Sequence, residues 1–139
     1  MKIKLIAVGK LKSKGIAFLV EDYAKRIEHY SPFEISVVKN EGSIKIDRDD
    51  FLIVLDERGE ETTSKGLAEF LETHRRMGTK RLTFFIGDAP GVSDTIKAKA
   101  KTLMSLSKMT FPHELARAIL LEQLYRACTI LRGEKYHYE

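Results

Sequence analysis

Runs of apolar residues along this chain switch repeatedly between the period of a strand and the period of a helix. Ile3 to Val8 is a β-branched apolar run stopped by Gly9, and Ile16, Leu19, Val20, Tyr23, Ala24 and Ile27 then recur at helical spacing through about Tyr30. Phe33 to Val38 alternates as a strand does, and Phe51 to Leu55 is a continuous apolar strand ending at Asp56-Glu-Arg-Gly59. Lys39 to Asp50 between them is a polar connection. Ser64 is the predicted N-cap of a helix carrying Leu67, Phe70, Leu71 and His74, with Gly78 just past its end. Leu82 to Ile86 follows as a central strand, Ser93 caps a short helix through about Ala100, and Met104 to Met109 reads as a further short strand. Pro112 then opens, in its first turn, a long helix that runs to about Leu131 and ends at Gly133.

Alternating strands and helices with apolar, doubly buried strands predict an α/β three-layer sandwich around a mostly parallel sheet. The last helix is apolar almost all the way round, from Leu115 through Leu121 and Cys128 to Leu131. Deep burial within one chain and a face for a second subunit both account for that pattern.

At 139 residues the chain is one domain's worth, spanning 1–139, and 43% hydrophobic against 32% charged residues argues against the disordered classes. A formal charge of +4 permits an acidic partner such as RNA. Cys128, the only cysteine, lies in an apolar helical run, so a buried structural thiol is the reading and a disulfide within the chain is excluded. No apolar run approaches the ~20 residues that cross a bilayer, and Met1 to Val8 is too short for a signal peptide, so no membrane partner and a cytoplasmic location are expected.

Phosphate-loop, dinucleotide-binding, nucleophile-elbow and zinc-protease signatures are all absent, which argues against an ATPase, a classical dehydrogenase, a serine hydrolase or a zinc protease. The four histidines show no metal-ligand spacing, and no metal site is expected. His29 and His74 read as solvated helix surface, which leaves His113 and His137 as candidates for chemistry. The Ile86-Gly87-Asp88-Ala89-Pro90-Gly91 loop and the stretch Ser105 to His113 both follow strands, where exposed backbone groups meet ligands in a parallel α/β fold.

The N-terminal Met1-Lys-Ile-Lys-Leu-Ile-Ala-Val-Gly-Lys10, the Gly87 loop, Ser105-Leu-Ser-Lys-Met-Thr-Phe-Pro-His113, Leu121-Glu-Gln-Leu-Tyr-Arg-Ala127 and Tyr136-His137 together resemble the SPOUT-class ribosomal RNA methyltransferase family RlmH, in order over nearly the whole chain. The resemblance implies a C-terminal trefoil knot, a homodimer, S-adenosylmethionine as methyl donor, and methylation of N3 of a pseudouridine in the decoding-centre hairpin of 23S rRNA on the assembled ribosome, with no role for DNA. It puts the donor site on Leu55, on Gly87 and Asp88, and on Ser107, Lys108, Met109, Thr110, Phe111 and Pro112. The chain departs from the family pattern at Asp88, where relatives usually carry a second glycine, in the shorter connection at 39–50, and at Tyr138, where many relatives are basic. Two other readings stay open beside it: a SPOUT methyltransferase for another RNA position, and a non-catalytic ribosome-binding protein that has lost its donor site.

N3 methylation requires alignment of two atoms and loss of the imide proton. Alignment contributes ~7–11 kcal/mol against about 10²- to 10⁴-fold from a placed base, so positioning dominates. The base candidates are His137, then His113 and Tyr136, with the tail folding over the site once RNA arrives. Lys10, Lys12, Lys14, Lys80, Lys108 and Lys135 are candidate phosphate contacts, as are Arg75, Arg76, Arg126 and Arg132, with Tyr136 and Tyr138 as stacking surfaces.

Overall fold

The structure, a computed structural model, describes residues 1–88 and 91–138. Ala89 and Pro90 of the expected ligand loop, and Glu139, lie outside the described residues.

Five strands form one wholly parallel sheet: β1 (Lys2–Val8), β2 (Phe33–Val38), β3 (Asp50–Glu61), β4 (Arg81–Ile86) and β5 (Thr102–Ser105), in the order β2-β1-β4-β3-β5. Among the described residues there are four α-helices: α1 (Lys14–Glu28), α2 (Ser64–Met77) and α3 (Asp94–Lys99) lie between strands, and α4 (His113–Leu131) follows β5. Helices α1, α2 and α4 cover one face, where Leu5, Ile53 and Phe84 of the sheet meet Val20, Leu71 and Leu121. The other face is covered by α3 and by the 39–50 connection, which contains a single 3₁₀ turn (Glu41–Ser43) and contributes Ile44 and Ile46 to a second cluster with Ile6, Val54 and Ile96. This is the three-layer sandwich that the alternation of periods predicts.

The helix ends follow from side-chain capping. Ser13 Oγ accepts from the Ile16 amide at the start of α1, and Ser93 Oγ does the same for Ile96 in α3. In α2 the N-cap is Thr63 and not Ser64: Thr63 is extended and its Oγ1 accepts from the Gly66 amide at 2.9 Å, while Ser64, already helical, donates to Gln123 on α4. Gly78 ends that helix at φ 80°, the left-handed conformation that favours glycine.

Three further expectations are corrected. Strand β5 occupies Thr102–Ser105 instead of 104–109, because Ser107 and its neighbours fold into a turn. Pro112 is the N-cap of α4 and His113 its first residue. His74 is buried, not solvated: its ring packs 4.3 Å from Phe51 and 4.6 Å from Phe70, and Nδ1 shares a 2.7 Å hydrogen bond with Thr79 Oγ1. One face of α4 is accounted for within the chain, since Leu120, Leu121, Leu124 and Ala127 are wholly buried between the sheet, α1 and α2, while Leu115 is exposed and Ile119 and Ile130 are half-buried.

Candidate active site

Three strand ends and one helix start build a cleft of about 650 Å³ at the carboxyl edge of the sheet. The first wall comes from β3. Leu55 pairs with Met104, residues 56–59 then bulge out of the ladder, and Glu60 returns to pair with the same Met104. Gly59 makes this return possible: a Cβ there would lie 2.6 Å from the Leu103 carbonyl carbon and 2.8 Å from the Met104 nitrogen. Inside the bulge, Asp56 Oδ1 accepts from the Arg58 amide at 2.8 Å and Oδ2 accepts from Lys97 Nζ of α3 at 2.7 Å. The side chains of Asp56 and Lys97 are only 10% and 17% exposed, and the Lys97 ammonium, followed by the Arg58 amide, holds the Asp56 carboxyl below its ordinary range.

The second wall is the end of β4, where Ile86, Gly87 and Asp88 leave the sheet and the Gly91 amide closes back on the Asp88 carbonyl at 2.7 Å. Asp88 is exposed and lines the cleft. The third wall follows β5. Ser105 Oγ donates to the Ser107 carbonyl, Ser107 Oγ accepts from the Met109 amide, and the Thr110 hydroxyl donates to Glu57, tying this loop to the bulge of β3. Phe111 and Pro112 then lead into α4, whose His113 and Ala116 complete the lining.

Of the residues expected at a donor site, Leu55, Gly87 and Asp88 line this cleft, and so do Ser107, Met109, Thr110, Phe111 and Pro112. Lys108 does not; its side chain is 85% exposed and reaches toward Glu61 at 3.6 Å. Of the three candidate bases only His113 lines the cleft. Tyr136 and His137 lie instead on the distal half of α4: Tyr136 packs edge-on against Tyr125 and donates to Glu122 at 2.7 Å, and Arg126 donates to His137 Nδ1 at 3.1 Å. A guanidinium only donates, so Nδ1 is the acceptor. Burial, then the bond to Glu122, pushes the Tyr136 phenol well above its usual range, so it stays protonated and can donate a hydrogen bond but not serve as a base.

Asp56, Glu57, Arg58 and Lys97 also line the cleft and were not among the expected residues. The charged run ending in Gly59 was the available signal for the first three; nothing in the sequence marks Lys97. Arg75, Arg76 and Arg132 gather beside Tyr30 at the far end of the helical layer, around a second cleft of about 430 Å³. Among the described residues no cluster of His, Cys, Asp or Glu could hold a metal ion, and no helix is long and apolar enough to cross a membrane.

A wholly parallel α/β sheet with a cleft walled by three strand-end loops at its carboxyl edge is the architecture of α/β proteins that bind a ligand at their strand ends. A family model described as "Predicted SPOUT methyltransferase" matches residues 1–137. The ribosomal RNA large subunit methyltransferase H of Coprothermobacter proteolyticus is 46% identical over 138 residues, covering 99% of each chain, and that of Flavobacterium johnsoniae is 41% identical over 157 aligned residues, covering 100% of both. In fold, the chain is similar to the SpoU methyltransferase AviRb from Streptomyces viridochromogenes, solved in complex with the cofactor AdoMet, at a TM-score of 0.53 and 12% identity over 97% of this chain and 59% of that one. The chain belongs to the SPOUT methyltransferases and, within them, to the ribosomal RNA large subunit methyltransferase H family.

Proposed function

We propose that this protein transfers a methyl group from S-adenosylmethionine to N3 of a pseudouridine in the decoding-centre hairpin of 23S rRNA, on assembled ribosomes and as a homodimer. The observation that carries the reading is the convergence of eight of the nine residues expected at a donor site on one cleft. The cleft fits that donor. Its volume of about 650 Å³ lies within the ~300–1,000 Å³ usual for cofactor sites, and Leu55, Ile86, Leu106 and Phe111 offer apolar surface to an adenine. Asp88, exposed on the cleft lining, supplies negative charge for a ligand that carries an ammonium and a sulfonium.

When bound, the donor supplies a methyl group on a positively charged sulfur. The chain's own residues do the rest by placement. The loops 86–88 and 105–112 fix the donor's orientation through backbone groups, and the Lys97–Asp56 pair with the Glu57–Thr110 bond holds the two outer walls together. His113, at the mouth of α4, stands where it can receive the imide proton of a ring turned into the cleft. His137 and Tyr136 act on the cleft of a second copy, where His137, its Nδ1 accepting from Arg126, offers its Nε2–H to the target ring beside the Tyr136 hydroxyl.

The test is transfer of labelled methyl from S-adenosylmethionine to assembled ribosomes lacking this modification, followed by digestion to nucleosides. Label in 3-methylpseudouridine is the expected result. Absence of label with a folded, dimeric protein overturns the reading, and label in another nucleoside redirects it to a different RNA position.

A further inference from the structure

The segment following β1 carries Lys10, Lys12 and Lys14, all exposed, and among the described residues none of the three has a carboxylate partner. This loop is nonetheless held firmly. Gly9 turns at φ 83° and its amide donates to the Val38 carbonyl at 2.8 Å. Glu114, in the first turn of α4, accepts from the backbone amides of Lys12 and Ser13 at 2.8 and 3.1 Å. Arg117, one turn further, donates to the Val8 carbonyl at 2.6 Å.

Arg117 is 1% exposed and its Nε has no acceptor, so a desolvated guanidinium is kept on a single carbonyl, with Glu114 and Asp88 as the nearest opposing charges. Such a placement costs stability, and what it secures is the junction between the lysine loop and the cleft. The same helix start that lines the cleft with His113 and Ala116 holds the 9–13 loop with Glu114 and Arg117. Because Ala7 pairs with Ile86, the chain beyond β1 emerges one strand spacing, ~4.8 Å, from Gly87 and Asp88.

Resting on the function proposed above, we propose that the Gly9–Lys14 loop is the RNA-phosphate wall of the methyl-transfer site, with Glu114 and Arg117 as the positioning residues that lock it to the donor cleft. Three unpaired ammonium groups beside the cleft mouth hold the phosphodiester backbone flanking the target nucleotide while its base turns inward. The arginine cluster at Arg75, Arg76 and Arg132 is the weaker candidate for that role, because it lies ~28 Å away along α4. Arg75 and Arg76 already share Glu72 there, and Arg132 lies over the Tyr30 ring.

The deciding variant is the triple change Lys10→Gln, Lys12→Gln and Lys14→Gln, compared with Lys25→Gln on α1, which removes an exposed charge paired with Glu21. The expected outcome is a KM for ribosomes raised ~10-fold and a slope of log affinity against log salt reduced by about 2, as befits losing two or three phosphate contacts. Turnover at saturating ribosome and the donor's Kd from calorimetry stay at the wild-type values. Glu114→Gln raises KM several-fold while leaving the salt slope intact, since it loosens the loop without removing a cation. A triple variant matching Lys25→Gln in both KM and slope overturns the proposal. If the wild-type protein transfers no methyl group, the functional reading fails, and the salt dependence of direct ribosome binding still decides this one.

Discussion

Gly59→Ala tests the construction of the cleft through a single methyl group. The glycine's φ is not in the left-handed region, so alanine meets no backbone penalty of its own, and the whole effect is steric. Its Cβ would lie 2.6, 2.7 and 2.8 Å from Leu103 C, Leu103 O and Met104 N, which are backbone atoms of β5 and cannot rotate away as a side chain could. Either β5 or the 56–59 bulge must move by several tenths of an ångström. An alanine that met open space would stabilise the protein by ~0.4–1 kcal/mol through the unfolded chain, whereas overpacking costs ~1–3 kcal/mol, so the clash reverses the sign. For a chain of 139 residues that net loss lowers Tm by roughly 2–10 °C. Because the displaced segments carry Leu55, Asp56, Glu57 and Ser107, donor affinity measured by calorimetry falls as well. An unchanged or raised Tm with unchanged donor affinity would refute the close approach of β3 and β5.

Two other predictions rest on buried ionisable groups. His74 is desolvated, so its folded pKa lies below the ordinary 6.5; unfolded chains bind the extra proton first, and stability measured by denaturant titration declines as pH falls below 6.5, a slope that His74→Gln flattens. Lys97→Met leaves the largely buried Asp56 carboxylate with only Arg58 for a partner; we expect ~1–3 kcal/mol of lost stability by thermal unfolding together with weaker donor binding, and an unaltered donor Kd would remove Lys97 from the cleft's working parts.

What the sequence discloses depends on how local the cause is. The runs Ile3–Val8 and Leu82–Ile86 announce strands because their apolarity is dictated by burial on both faces, and Gly78 announces a helix end because its left-handed conformation is a property of one residue. The stretch 107–112 stands out for the same reason, since hydroxyl residues and proline after a strand make a turn that serves as a wall. The bulge at 56–59 is different. Its cause is the backbone of β5, more than forty residues away, so Asp56-Glu-Arg-Gly59 looks like a strand end when it is a detour within a strand. Lys97 joins the cleft only because α3 lies over that detour, and His74 is buried only because Phe51 and Phe70 enclose it. Cap choice is equally fine-grained: Thr63 and Ser64 have the same capping chemistry, and Gln123 on α4 claims the serine.

The position of the tail bears directly on how the site is completed. Helix α4 runs from His113 at the cleft to Leu131, a rise of ~27 Å over its length. His137 lies six residues past Leu131, and six residues span at most ~22 Å even fully extended. The tail is also turned back, with Tyr136 on Glu122 and His137 on Arg126, both well along the helix from its start. His137 therefore cannot reach the cleft of its own chain without unwinding α4, whose distal half is fixed by the wholly buried Leu124 and Ala127. If His137 serves methyl transfer, it serves the cleft of another copy. We infer that, in the homodimer proposed above, a Gly59→Ala chain with a damaged cleft and a His137→Ala chain with a damaged tail, each impaired alone, recover activity when mixed, because one of the two sites of a mixed pair is then intact. Failure of the mixture to exceed either parent, with subunit exchange verified, would remove the tail from the reaction and leave His113 as the only imidazole at the cleft among the described residues.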